Sequence, residues 1–151
     1  MLMRRIYLDV CCLNRPFDDQ SQDRVRLEAE AVLIILKHVE AGRWRMIGGE
    51  AMELETERNP DKERRARVRL LSELADLVVP FGERLLKRAD ELERIGFRSF
   101  DALHLACAEH GAAEVVLTTD DRFINTVRRN RRVLAAPVVN PVSWLAEVNE
   151  K

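Results

Sequence analysis

One stretch, residues 99–123 (SFDALHLACAEHGAAEVVLTTDDRF), constrains the fold of this chain more than any other. Its first half is apolar almost all round, which predicts a buried helix that begins at a Ser99 cap and ends at Gly111. The apolar run 115–117 then predicts a short strand buried on both faces. Asp120 follows this strand closely. Because ligands bind outside the carboxyl ends of parallel strands, Asp120 lies where a functional site is expected.

The beginning of the chain repeats this arrangement. Residues 6–8 (IYL) read as a strand, and Asp9 follows them directly. Asp101, in the first turn of the buried helix, is a third acid that the same edge of a sheet can hold. Unpaired carboxylates 4 Å apart repel one another by about 1 to 4 kcal/mol, depending on the dielectric. A divalent cation relieves this repulsion, and carboxylate oxygens are the ligands that Mg²⁺ and Mn²⁺ prefer.

Composition limits the class of protein. The 151 residues predict a single domain over 1–151 with room for a core, and strands alternate with helices as in a parallel sheet covered on both faces. The net charge of −1 means that a nucleic-acid partner needs a local basic patch. Cys11, Cys12 and Cys107 lack zinc spacing, which favours free thiols in a reducing cytoplasm. We expect neither a signal peptide nor a membrane span.

The rest of the chain predicts further elements of the same kind. Ser21 and Asn59 are expected to cap helices that run to about residues 41 and 75. The second of these helices, with Pro60 at its first position, is expected to turn Leu70 towards the core. Other strands are predicted at 44–48, 76–79 and 138–139, and other helices after residue 49, over 83–95, from 120 to 129 and from 141 onwards.

Three segments together resemble the PIN-domain nucleases: LDVCCLNRPFDD around Asp9, FDALHLACAEHG around Asp101 and LTTDDRF around Asp120. Their order and separations match that family over nearly the whole chain. The resemblance implies a three-layer α/β/α fold with a central, mostly parallel sheet, an acidic cluster that binds Mg²⁺ or Mn²⁺, and hydrolysis of RNA phosphodiester bonds. Many small stand-alone members are VapC-type toxins, so the resemblance also implies an antitoxin partner and a homodimer.

The resemblance further implies roles for individual acids. Asp9, Asp101 and Asp120 match the family's catalytic, metal-binding aspartates, and Thr118 matches the threonine of its T-x-D element. Asp121 is the competing choice for the last of these acids. One or two metal ions both fit such a set.

The family's fourth catalytic acid is a glutamate on the helix after the second strand. Counting six residues from Gly49, where many members have serine, selects Glu55. Glu53 and then Glu50 remain alternatives. The chain also departs from the family's common pattern at Cys11, where many members place a small hydroxyl or amide residue.

Several residues near the acids have less specific signals. Asn14 and Arg15 follow the first acid closely, and we expect them to bind a substrate phosphate. His104 lies one helical turn after Asp101. It is expected to be a core or hydrogen-bonded histidine rather than a metal ligand. The basic residues 64–69 and 128–132 are candidate RNA contacts, although such runs are usually solvated.

Other interpretations of the same residues exist. Asp120 also fits a helix cap, and Asp101 fits an acid that matches a helix dipole. Gly49 and Cys11 motivate an alternative function, a catalytically inactive PIN-like module that binds protein or RNA. An aspartyl phosphatase is disfavoured because Cys11 occupies the place of its second aspartate. Metal-dependent hydrolysis suits the acids best, since carboxylate-bound cations activate water and neutralise the charge of the transition state.

Overall fold

The computed structural model describes residues 3–149 of the chain, and in them five parallel strands form one sheet. The strand order across the sheet is β3-β2-β1-β4-β5, and every neighbouring pair is parallel. Helices cover this sheet, so the prediction of a three-layer α/β/α fold is confirmed. The strands are β1 (Arg4–Leu8), β2 (Trp44–Gly49), β3 (Leu77–Val79), β4 (Val115–Leu117) and β5 (Val138–Val139).

Helices connect the strands and form the outer layers. Among them, α2 packs against α8, and α5 packs against α6. The helices are α1 (Val10–Asn14), α2 (Asp23–Glu40), α3 (Glu50–Glu57), α4 (Lys62–Ser72), α5 (Glu83–Ile95), α6 (Ser99–His110), α7 (Asp121–Arg129) and α8 (Pro141–Asn149).

The strand order reverses between β1 and β4. From β1 the chain builds outwards through β2 and β3, then returns to place β4 on the other side of β1. Leu8 lies opposite Leu117 in the register, and the backbone N–H of Asp9 donates to the carbonyl of Leu117 at 2.9 Å. The carboxyl ends of these two strands therefore meet at the position where open α/β sheets bind their ligands.

The buried helix predicted from the sequence is α6, which packs against β2, β4, α3 and α5. Its residues Leu105 to Ala108 are all buried. The expected Ser99 cap is wrong, because Ser99 is the first helical residue. Arg98 occupies the cap position in an extended conformation, and its side chain makes no hydrogen bond that caps the helix. The start of α6 therefore leaves the side chain of Arg98 available for other contacts.

Two other expectations about helix ends are corrected. Asp61, rather than Asn59, caps α4 by accepting from the N–H of Arg64 at 3.0 Å, while the Asn59 side chain accepts from the N–H of Asp61 in a turn. Similarly, α2 begins at Asp23 after Gln22 rather than after a Ser21 cap. In both helices the residue directly before the first helical position, Asp61 or Gln22, takes up the extended backbone of the cap position.

The inward face of α4 also differs from the prediction. Leu70 is 65% exposed, whereas Val68 is buried in the core and Leu71 packs against it as expected. The helix ends at Ser72 rather than near Ala75. Within residues 3–149, no helix combines the length and the apolar composition needed to cross a membrane.

Gly49, one departure from the family's usual pattern, has a packing reason. A Cβ placed on Gly49 would lie 2.7 Å from Sγ and 2.9 Å from Cβ of Cys107. Its φ of −157° is ordinary extended backbone, so space rather than backbone conformation requires glycine here. The end of β2 and helix α6 approach so closely that the Cys107 side chain fills the volume of a residue at position 49.

We therefore expect Gly49→Ser to lower the free energy of unfolding by about 1 to 3 kcal/mol, because it overpacks this contact. Cys107→Ala removes Sγ, the nearer of the two clashing atoms, so the double variant is expected to regain part of the loss. Urea denaturation of both single variants and the double variant measures this coupling. Gly82→Ala is the control, since nothing lies within 4 Å of its added Cβ. Additive losses in the double variant would contradict the explanation.

Candidate active site

Asp9 lies at the carboxyl end of β1 and is only 6% exposed. Its Oδ1 accepts from the N–H of Val10 at 2.7 Å, because Asp9 caps α1. Its Oδ2 accepts from the hydroxyl of Thr118 at 2.9 Å and from the thiol of Cys11 at 3.3 Å. Donors from both β1 and β4 segments thus fix the orientation of this carboxylate.

Cys11 makes the contacts expected of the small polar residue that it replaces. Besides its bond to Asp9, its Sγ lies 3.2 Å from Oγ1 of Thr118 and accepts from the N–H of Thr119 at 3.4 Å. A thiol is a weak donor and a weak acceptor, so it can serve in both bonds. The departure from the usual pattern at position 11 therefore keeps the polar contacts beside Asp9.

Thr118 joins the two strand ends. Its hydroxyl donates to Asp9, and the same oxygen accepts from the N–H of Asp120 at 3.1 Å. Asp120 caps α7: its Oδ1 accepts from the N–H of Arg122 at 2.9 Å. The structural role as a cap is therefore real, but it occupies only one carboxylate oxygen. The other oxygen, Oδ2, faces Arg98.

Asp121, the competing acid, is placed differently. Its two carboxylate oxygens each accept from the guanidinium of Arg24 on α2 at 2.8 Å. This bidentate bond to Arg24 lowers the pKa of Asp121. Asp121 therefore pairs α7 with α2, whereas Asp120 lies beside the other predicted acids.

His104 is fully buried on α6, and its two ring nitrogens contact Tyr7 of β1 and Glu55 of α3. Its Nδ1 lies 2.6 Å from the hydroxyl of Tyr7, and its Nε2 lies 2.7 Å from Oε1 of Glu55. Nε2 is also 3.4 Å from Oδ1 of Asp9. Because an ionised carboxylate only accepts, Nε2 is the donor towards Glu55. The expectation of a hydrogen-bonded histidine fits this geometry, and the sequence did not reveal its glutamate partner.

The electrostatics of these groups are coupled. Burial opposes protonation of His104, but the carboxylates of Asp9 and Glu55 outweigh it and raise the pKa of the histidine. Burial raises the pKa of the Tyr7 phenol well above its ordinary value, so the phenol stays protonated. His104 is therefore held between a neutral phenol and two acids.

Asp101 shows the strain of the acidic cluster most clearly. It is 9% exposed, and its pKa is raised to about 6, first by burial and then by the negative charge of Asp9. The neighbouring Arg98 acts in the opposite direction, because its Nε donates to Oδ2 of Asp101 at 3.1 Å. A buried acid with such a pKa is typical of functional sites.

Arg98 is a residue that sequence reasoning missed. Its guanidinium donates to both Asp101 and Asp120, so one cation lies between two of the predicted metal ligands. The signal for it was weak, since Arg98 precedes the helix by one position and its neighbourhood depends on the loop after Gly96. The bridge supplies positive charge to acids that otherwise repel each other.

The two expected substrate-binding residues, Asn14 and Arg15, already make hydrogen bonds or ion pairs within the protein. Arg15 bonds Glu28 at 2.7 Å and Asp18 at 3.1 Å, so two acids already neutralise its charge. Asn14 donates to the carbonyl of Val10 at 3.0 Å, within its own helix. Asn14 also lines a cavity of about 450 Å³ that reaches Glu55.

A larger cavity, of about 1090 Å³, lies between α2, α7 and residues 134–139. None of Asp9, Glu55, Asp101 or Asp120 lines it. Size alone therefore does not identify the candidate site, and the convergence of acids at the strand ends does.

The donor atoms present fit a metal ion. One oxygen each from Asp9 and Glu55 and one nitrogen of His104 lie within 4.8 Å of one another, so the two carboxylates can hold a metal, and His104 can join them only as a neutral ring whose ligating nitrogen carries no proton. Asp101 lies close enough to Asp9 for its charge to raise the pKa, and Arg98 links Asp101 to Asp120. The set is rich in carboxylate oxygens, and such sets suit hard divalent cations.

Comparison with known proteins identifies the family. The PIN domain family model matches residues 6–128, so this chain belongs to the PIN-domain family, as the sequence motifs predicted. Members of this family are generally nucleases. No curated protein matches the chain.

A solved structure has the same fold. It is a chain in the crystal structure of VapBC2 from Rickettsia felis bound to a DNA fragment from the VapBC2 promoter. The TM-score of the match is 0.54. The sequence identity is 12%, and the match covers 90% of this chain and 97% of that chain. At this identity the similarity establishes the fold alone, and it extends over nearly the whole of both chains.

Proposed function

We propose that this protein is a divalent-metal-dependent endoribonuclease that hydrolyses RNA phosphodiester bonds. The observation that carries the proposal is the position of Asp9 and Asp120 at the adjacent carboxyl ends of β1 and β4, linked through Thr118. The raised pKa of Asp101 supports a site where crowded, buried carboxylates would be stabilised by a bound cation. Membership of a family of nucleases supports the reaction class.

In this proposal Asp9, Asp101 and Asp120 hold Mg²⁺ or Mn²⁺. The bound ion supplies an activated water and neutralises charge that develops on the phosphate. Thr118 and Cys11 hold the Asp9 carboxylate in one orientation. The Arg98 side chain is half exposed, so it would have room to move away from Asp101 and Asp120 if a cation took over their charge.

Glu55 is the proposed fourth catalytic acid, in preference to Glu53 and Glu50. This choice is supported by distance, because Glu55 is the one of the three with a carboxylate oxygen within 4.8 Å of possible ligand atoms of Asp9 and His104. Glu53 is exposed on the same helix. The bond from His104, itself held by Tyr7, directs the Glu55 carboxylate towards the site, where it orients the water or assists the metal.

Asn14 and Arg15 stay candidate substrate-binding residues. Asn14 is the better placed, because it lines the cavity that reaches Glu55. Arg15 contacts a phosphate only if it gives up part of its pairing with Glu28 and Asp18.

We further propose that the protein is the toxin of a toxin–antitoxin pair and forms a homodimer. The shared fold with a chain of the VapBC2 complex supports the first part. Exposed apolar side chains supply surface for an antitoxin or a second copy: Leu33, Ile34, Leu70, Leu77 and Val78. A cytoplasmic location and a single domain over residues 1–151 stay predictions from the sequence.

Cleavage of a mixed, end-labelled RNA pool by the purified protein tests this function. We expect fragments from internal cleavage with Mg²⁺ or Mn²⁺, and none in excess EDTA. A single-stranded DNA pool run in parallel tests the restriction to RNA. Cleavage that continues in EDTA would contradict the proposal. Absence of both cleavage and Mn²⁺ binding would instead support an inactive binding module.

Matched glutamate variants test the fourth acid. Glu55→Gln is expected to lower the cleavage rate by about 10- to 1000-fold, because it loses the charge that orients water or assists the metal. Glu53→Gln, two residues away on the same helix, is expected to leave the rate within about twofold. Equal losses in both variants, or a loss in Glu53→Gln alone, would exclude Glu55 from this role.

A further inference from the structure

Beside the acidic cluster lies a cavity of about 450 Å³, within the range of small-molecule sites. It is bounded by residues adjacent to the proposed metal ligands: Val10 follows Asp9, and Phe100 precedes Asp101. Glu55 lines the cavity and also belongs to the metal-binding group. A molecule in this cavity is therefore next to the phosphate that the site would hold.

The cavity is lined by an aromatic ring that is covered on its solvent side only by an exposed arginine. Phe100 is half-buried, and the guanidinium of Arg58 lies over its ring at 5.3 Å from the centroid. The Phe100 ring also stacks on the His104 ring, with centroids 6.3 Å apart and planes inclined by 30°. His104 is fully buried and supports the Phe100 ring from the interior. Arg58 is exposed, so its side chain has room to move aside for a bound molecule.

A buried hydroxyl beside the cavity has unused bonding capacity. Thr56 is 5% exposed and lines the cavity, and its Oγ1 has no hydrogen-bond partner within residues 3–149. Buried polar atoms normally have partners, but this oxygen is itself closed off from the cavity, so a bound molecule would reach it only after a local shift of the Thr56 side chain. Arg65 also lines the cavity and adds positive charge suited to an RNA backbone.

We propose that this cavity binds one unpaired nucleobase of the RNA, stacked between the ring of Phe100 and the guanidinium plane of Arg58. Single-stranded RNA is commonly recognised in this way, because splayed bases stack on aromatic rings and arginine planes. The inference rests on the proposed function in taking RNA as the substrate. It adds that a nucleotide next to the cleaved bond is held by its base, which selects single-stranded over paired RNA.

Fluorescence of 2-aminopurine tests this binding without requiring cleavage. Short single-stranded oligoribonucleotides that carry 2-aminopurine at successive positions are titrated with the protein in excess EDTA. At one position we expect fluorescence quenching by stacking, which Phe100→Leu abolishes while weakening affinity by about 5- to 100-fold. Phe100→Tyr keeps an aromatic ring and is expected to retain both. Arg58→Lys keeps the charge but loses the plane, and is expected to reduce the quenching.

The chain offers a matched control in a second pair, in which an exposed arginine lies over a half-buried phenylalanine. Arg67 lies over the ring of Phe17 at 5.7 Å, and neither residue lines this cavity. Arg67 belongs to the basic run 64–69, but Arg67→Lys keeps its positive charge, so this variant and Phe17→Leu are expected to leave quenching and affinity within about twofold. Quenching that is equal in Phe100→Leu and wild-type protein, or that the Phe17→Leu variant loses instead, would overturn the proposal.

This experiment also separates the inference from the proposed function. Quenching that depends on Phe100, in a protein that cleaves no RNA with Mn²⁺, would support the base pocket and refute the nuclease. Metal-dependent cleavage with an unchanged KM in Phe100→Leu, and no quenching at any position, would refute the pocket alone. A normal thermal unfolding midpoint for each variant shows that the fold is intact.

Discussion

Asp9→Asn is expected to lower metal-dependent RNA cleavage by about 100- to 10,000-fold, the loss that follows when a bound cation no longer stabilises the reaction by several kcal/mol. Asp9 is the acid with contacts to both strand ends, through its own backbone bond to Leu117 and its side-chain bond from Thr118. Asparagine keeps the shape but removes the charge. Initial cleavage rates at saturating Mn²⁺ measure the effect.

The control for this loss is a carboxylate outside the site. Asp90, on the exposed face of α5, pairs with Arg94 at 3.1 Å, and Asp90→Asn is expected to retain the wild-type rate. Both variants are expected to unfold within a few degrees of the wild-type protein. An Asp9→Asn variant that cleaves RNA at the wild-type rate would refute the role of this acid in the reaction.

Asp101→Asn is expected to stabilise the metal-free protein while it removes activity. The pKa of Asp101 rises from its ordinary value of 3.8 to about 6 in the folded chain. The acid is therefore costly to ionise in the folded state, at about 3 kcal/mol as an upper limit above pH 6. Asparagine never ionises, so we expect a gain in free energy of unfolding of about 1 to 3 kcal/mol at pH 7.5.

The sign of the pH dependence follows from the raised pKa. Asp101 is ionised in both the folded and the unfolded chain above pH 6. The wild-type protein therefore loses there the full free energy of unfolding that ionising this buried acid costs. As the pH falls through 6 the folded chain takes up a proton first, and the cost fades towards pH 4. Urea denaturation in EDTA at pH 7.5 and pH 4.5 measures the difference between wild type and Asp101→Asn, which is expected to shrink by more than half at the lower pH.

A metal-free Asp101→Asn variant that is less stable at pH 7.5 would contradict this account. In that case the bond from Arg98 to the carboxylate outweighs its burial and its repulsion from Asp9. Addition of Mn²⁺ provides the converse control, since ligand binding stabilises only the state that binds it. The ion is expected to stabilise the wild-type protein more than the variant.

The fold, and the positions of Asp9 and Asp120 at neighbouring strand ends, could be predicted from sequence because each rests on a local pattern. Apolar runs followed by Asp9 and by Asp120 mark strand ends, and parallel strands bring such ends to one edge of a sheet. The buried helix α6 was visible in the same way, since its apolar residues surround the helix axis.

The remainder depends on contacts that no local pattern encodes. The pairing of His104 with Glu55 joins α6 to α3, and the bridge from Arg98 to Asp120 spans 22 positions of the chain. The predicted caps at Ser99 and Asn59 are wrong because another polar residue lies close by in each case. Which residue caps is decided by the conformation of the backbone that leads into the helix. The fit of Gly49 against Cys107 likewise appears only when β2 and α6 are packed together.

The most direct test of the central claim is titration of metal-free protein with Mn²⁺ by calorimetry, for wild type and for Asp9→Asn. The account predicts saturable binding with one or two ions per chain, weakened at least about tenfold in Asp9→Asn and unchanged in Asp90→Asn. Saturable binding that Asp9→Asn leaves intact, or no binding to the wild-type protein, would contradict the claim that these strand-end acids form a metal centre.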